Sequence, residues 1–123
     1  MLRRVRDVIQ QMACPDPVLV LAPLGVGGHV DHVLVRTAAE RSGARVGYYS
    51  DFPYNQRHPA VPAFVRRNGL VEARWSLLIE AKPDLIRAYR TQARALFAGD
   101  VIPIVPEVYY VPAGPGNRPE RIT

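Results

Sequence analysis

Several things are scarce in this chain, and each scarcity narrows what it can be. There is one cysteine, Cys14, in 123 residues. No disulfide can form within the chain, and a lone thiol reads as a small apolar filler before it reads as a ligand. There is one lysine, Lys82, beside fifteen arginines. The net charge of +5 is scattered, with only short pairs such as Arg3-Arg4 and Arg66-Arg67 adjacent, so there is no basic stripe to follow a nucleic-acid backbone and no nucleic-acid partner is expected. No apolar run approaches the roughly 18 residues that a membrane helix needs. Met1 to Met12 has the character of an amphipathic helix rather than of a signal-peptide core, so a cytoplasmic protein with no membrane partner is expected. Neither GxGxxG nor GxxxxGK[ST] occurs, which disfavours nucleotide binding, and no internal repeat is found.

What is present suits one modest α/β domain. The chain is 48% hydrophobic, and its length is that of a single domain. Leu2, Val5, Ile9 and Met12 recur at helical spacing. After Pro15-Asp16-Pro17, the continuous apolar run Val18–Ala22 predicts a strand buried on both faces of a parallel sheet. Gly25, Gly27 and Gly28 then lead into a helix whose Val30, Val33, Leu34, Thr37 and Ala38 share a face and which stops at Gly43. Arg45 to Ser50 reads as a second strand, which completes a β-loop-α-β unit.

From Asp51 to Asn68 three prolines predict a long irregular loop. Val71 to Ile79 alternates apolar and polar, as a strand with one wet face does. Pro83 opens a helix lined on one side by Leu85, Tyr89, Gln92 and Leu96 and ending near Gly99. The tail from Asp100 carries five prolines; within it Glu107 to Val111 fits an edge strand. Residues 1–110 are expected to form the domain, and 111–123 a flexible proline-rich tail.

The chemistry concentrates in His29-Val30-Asp31-His32. In open α/β sheets ligands bind beyond the carboxyl ends of the strands, which is where the glycine loop after Leu21 falls. His29 and His32 are three apart at a helix mouth and can face the same way. Asp31 can hold an imidazole in one tautomer. By themselves these residues fit helix capping as well as a site, since a carboxylate is favoured at a helix start. His58, beside a proline in a loop, reads as a solvated surface residue.

Several blocks in register add a resemblance. Leu21-Ala22-Pro23-Leu24-Gly25-Val26-Gly27-Gly28-His29-Val30-Asp31-His32, followed by Val35-Arg36, resembles the second conserved block of the PIG-L/LmbE deacetylases. Tyr48-Tyr49-Ser50-Asp51-Phe52-Pro53-Tyr54, and the Lys82 helix with Tyr89-Arg90-Thr91-Gln92, are similar to later blocks of the bacterial members. The resemblance runs from Leu2 to about Tyr110. It implies a Rossmann-like three-layer sandwich and zinc-dependent hydrolysis of an N-acetyl group on a sugar of the N-acetylglucosamine type. It also implies a zinc ligand at His32, an imidazolium at His29 that stabilises the oxyanion or protonates the leaving amine, and an orienting role for Asp31. Asp51 and Tyr54, in the loop after the second strand, are expected as substrate contacts at the rim.

The departure from that family is a missing block. No His-Pro-x-Asp-Asp occurs, so two of the zinc ligands and the general-base aspartate have no counterpart, and a catalytic zinc site generally takes three protein ligands. The expectation is therefore a partial domain that lacks the first strands of the fold and is inactive alone. Such a chain would pair with a missing N-terminal half or self-associate. The alternative is a non-catalytic binding or assembly module that keeps part of the fold.

Overall fold

The computed structural model describes residues 1–13 and 18–114. Cys14 and the tail beyond residue 114 lie outside the described residues. By contact density the chain divides into two compact units: Met1–Ala73 with the residues from Val108 onward, and Arg74–Glu107.

The first unit is a sheet with helices packed on it. Helix α1, Leu2–Met12, is followed by strand β1, Val20–Pro23, helix α2, Val30–Glu40, and strand β2, Val46–Tyr49. β1 and β2 are parallel, with Val20 opposite Val46 and Ala22 opposite Tyr48. Because side chains alternate along a strand, these four residues share one face. Against that face lie Ile9 of α1, Val35 and Ala39 of α2, and Phe64 of helix α3, Pro62–Arg67. Tyr48 is 2% exposed and meets Phe64 edge-on, with ring centroids 5.1 Å apart, an arrangement the aromatic quadrupole favours. Gln10 Nε2 donates to the Ser42 carbonyl at 2.8 Å, tying α1 to the end of α2.

Several expectations need correction. Val18–Ala22 is not buried on both faces, for Leu21 is 52% exposed while Ala22 is 2% exposed. β1 is an edge strand, since the sheet runs β1-β2-β4-β3, and α1 to α3 pack on the Ala22 face. Strand β4, Glu107–Pro112, is not at an edge. It pairs antiparallel with β2, Tyr48 opposite Tyr110, which makes the sheet mixed. Strand β3, Leu70–Trp75, stops short of the expected Ile79. The loop after β2 contains α3, because Pro62 stands in a first helical turn where its missing N–H costs nothing.

In Arg74–Glu107 the helix expected from Pro83 to Gly99 is two, α4, Lys82–Arg87, and α5, Arg90–Leu96, broken at Tyr89 where ψ is 64°. The stripe expected on one side is not a core face: Leu85 and Tyr89 are 67% and 69% exposed. Burial here falls to Pro83, Ala93, Phe97 and Ile102. Lys82 pairs with the Glu107 carboxylate, and Arg87 with Asp84 at 3.1 Å. None of the helices among the described residues is long and apolar enough to cross a membrane.

Candidate active site

Parallel pairing puts the carboxyl ends of β1 and β2 side by side, so the loops that leave them meet. The Leu24 N–H donates to the Tyr49 carbonyl at 2.9 Å, carrying the pairing to the last residue before the glycine loop. Gly25, Gly27 and Gly28 all have positive φ, between 73° and 82°, a region that costs an L side chain about 1–2 kcal/mol. Gly27 has a second reason to lack a side chain: a Cβ there would lie 3.1 Å from Tyr54 Cβ. The loop therefore curls against Tyr54 and enters α2 at His29, the N-cap, whose carbonyl accepts the first helical bond from the Val33 N–H at 2.9 Å. Arg36 braces the loop from α2, donating to the Leu24 carbonyl at 3.1 Å, with its guanidinium 5.1 Å from the Phe64 ring centroid.

This brings His29, His32 and Tyr54 together. The His29 and His32 rings lie 5.3 Å apart, and His29 is 5.9 Å from the Tyr54 ring. His29 is exposed, while the side chain of His32 is 35% exposed. Beneath them is Asp51, the second residue after β2, whose side chain is 1% exposed. Its Oδ2 accepts from the Val26 N–H at 2.9 Å. Its Oδ1 lies 2.8 Å from His32 Nδ1. That short contact is not the straight line of a well-formed hydrogen bond, and neither atom has another partner among the described residues. Burial, and secondarily the Asp51 charge, raise the Tyr49 phenol above its ordinary pKa.

Not every expected residue has its expected place. Asp51 does not reach the rim; it lies under His32, because the chain turns inward after β2 to meet the glycine loop. Tyr54 is half-buried against His29. Asp31 is exposed in the first turn of α2 and its carboxylate makes no hydrogen bond or ion pair with the described residues, so among them the carboxylate that touches an imidazole is Asp51 rather than Asp31, and the imidazole is that of His32 rather than His29. His58 is exposed, as expected. The Asp51 contact was beyond sequence reasoning, since its partners lie 25 and 19 positions away, at Val26 and His32. Its place just after a strand, at the ligand-binding edge of the sheet, was the one available signal.

No group of three His, Cys, Asp or Glu side chains among the described residues is placed to hold a metal ion. A catalytic zinc takes three protein ligands, so these residues do not fit a complete zinc site.

Comparison with solved structures adds the fold. The zinc-inhibited form of teicoplanin deacetylase Orf2 superposes with a TM-score of 0.54 at 17% identity, over 89% of this chain and 50% of that one. The chain is similar in fold to a deacetylase. It spans half the length of the structure it matches, and at this identity the likeness speaks to the α/β, Rossmann-like fold. No protein-family model and no curated protein matches the chain.

Proposed function

We propose that this chain supplies the histidine wall of a hydrolase site that removes the acetyl group from an N-acetylated sugar of the N-acetylglucosamine type. The products would be acetate and a free amine. The observation that carries the reading is the pair of adjacent imidazoles, His29 and His32, held 5.3 Å apart at the carboxyl end of a parallel strand pair. The fold likeness to a deacetylase and the PIG-L/LmbE-like blocks agree with it.

In this reading His29, on the exposed side, gives its proton to the leaving amine or hydrogen-bonds the developing oxyanion. Asp31, on the same helix mouth, is the residue to test for orienting it. Tyr54 packs on His29 and is the candidate for contact with the sugar. His32 would be a zinc donor; the other donors must come from outside the described residues, which do not complete a site.

Acetate release from an N-acetylglucosamine conjugate, in the presence of zinc, tests the proposal. The 123-residue chain alone should show no turnover. Joining it to, or mixing it with, a segment that bears a His-Pro-x-Asp-Asp block should produce turnover, which His29→Ala should then reduce by about 10²–10⁴-fold. Robust turnover by the lone chain would refute the missing-donor argument, and no turnover from the completed site would refute the deacetylase.

A second reading, a binding or assembly module, is favoured by one feature. The edge strand β1 leaves Leu21 52% exposed, with Leu19 at 41% just before it, and an apolar strand edge with no neighbour among the described residues invites association. Sedimentation at micromolar concentration separates the two: a stable monomer counts against assembly.

A further inference from the structure

We infer that Asp51 is a positioning carboxylate for His32, holding the ring with its proton on Nδ1 and leaving Nε2 as the lone-pair nitrogen. The geometry behind this is independent of any reaction, while its use as a donor or base rests on the deacetylase reading above.

A carboxylate side chain that is 1% exposed is costly unless its oxygens find donors. One does: Oδ2 accepts from the Val26 N–H at 2.9 Å. The other, Oδ1, has within reach the buried His32 Nδ1 at 2.8 Å and no other described partner. A bare Nδ1 lone pair 2.8 Å from a carboxylate oxygen would be repelled by it, whereas a proton on Nδ1 gives Oδ1 the donor it lacks. Nδ1 therefore carries the proton. The ring N–H lies off the straight line to Oδ1, and the terminal torsion of histidine is broad enough for the ring to turn toward it. Aligned, the pair removes two buried unsatisfied atoms, each of which would otherwise carry a desolvation cost.

The imidazole is thereby set in one tautomer before any ligand arrives. This is the arrangement by which an outer carboxylate orients a ligating or catalytic histidine. The same side chain also holds the Val26 N–H in the glycine loop, so a single buried group fixes both the ring and the loop from which His29 projects.

Long-range proton–nitrogen correlation spectra of the isotope-labelled chain at about pH 8, where free imidazole is neutral, report which nitrogen of each histidine bears the proton. Wild-type His32 should show the Nδ1–H form, and exposed His58 serves as the internal reference. Asp51→Ala should lose the Nδ1–H form at His32 and leave His58 unchanged. In Asp51→Asn one carbonyl oxygen cannot serve both the Val26 N–H and the ring, and an amide NH₂ turned to Nδ1 should convert His32 to Nε2–H. Wild-type His32 in the Nε2–H form, or an unchanged Nδ1–H form in Asp51→Ala, would overturn the inference. If Asp51→Ala fails to fold, the wild-type spectrum still decides. An Nδ1–H ring together with no acetate release from the completed site would refute the deacetylase and keep the positioning role; the opposite pair of results would do the reverse.

Discussion

The two units of the chain keep their structure by different means. Met1–Ala73 with the strand from Val108 onward has a contiguous apolar core, in which Ala22, Leu24, Tyr48 and Phe64 are each 4% exposed or less. Arg74–Glu107 has few buried residues and leaves Trp75, Leu77, Leu78 and Leu85 more than half exposed. Its side-chain links include ion pairs of Lys82 and Arg87. Close packing resists distortion, whereas an exposed ion pair such as Arg87–Asp84 contributes little. The candidate site falls in the packed unit, where neighbouring side chains can hold a ring to a narrow range of orientations.

The sharpest way to break this contrast is to remove the ring at the centre of the core. Phe64→Ala takes the partner from Tyr48 and the surface from beneath the Arg36 and Arg67 guanidiniums. The expected loss is about 3–5 kcal/mol in urea unfolding, which leaves so small a domain largely unfolded.

The next effect depends on pH. Burial, with the Glu40 charge adding to it, pushes the Tyr48 phenol up to about 12, while in the unfolded chain it ionises near its ordinary value of about 10. The native state then holds a proton that the unfolded state has lost. Stability is therefore intact below about pH 10 and falls as pH rises toward 12, by at most about 3 kcal/mol from this group. Unfolding midpoints at pH 9 and pH 11.5 should converge in Tyr48→Phe; an equal fall in both proteins would refute this account of Tyr48.

Gly27→Ala should cost about 1–2 kcal/mol, from the strain at φ 82° and the push against Tyr54. In nitrogen–proton spectra it should shift His29 more than His58. The smallest effect belongs to the other unit: Leu85→Ala, at a side chain 67% exposed, should stay within about 0.5 kcal/mol of wild type. A loss there comparable to that of Phe64→Ala would erase the contrast between the units.

Local rules carried a good part of this structure. The spacing of Leu2, Val5 and Ile9 located α1, and the glycines before His29 marked a loop that needs positive φ followed by a helix mouth. Three-residue spacing put His29 and His32 within ring contact. These features depend on backbone sterics and helical periodicity over a few residues, which any stretch of sequence carries within itself. Where the signal was a mixture of prolines and apolar residues, as around Pro62 and Tyr89, local reading misjudged both a helix and a helix break. At Pro62 the preference of proline for a first helical turn prevailed over its role as a breaker.

The amino-acid order by itself determined the glycine loop after β1, the helices α1 and α2 and which chemical groups cluster at the mouth of α2. Tertiary structure decided the rest: that β4 inserts between β2 and β3, that Leu21 faces outward, and that Asp51 rather than Asp31 meets an imidazole. The reason is the register of β1 against β2, Val20 opposite Val46, which carries two loops to one edge of the sheet and closes a contact between residues 19 positions apart in sequence. Side-chain periodicity cannot encode such a pairing, because it exists only once the strands have aligned.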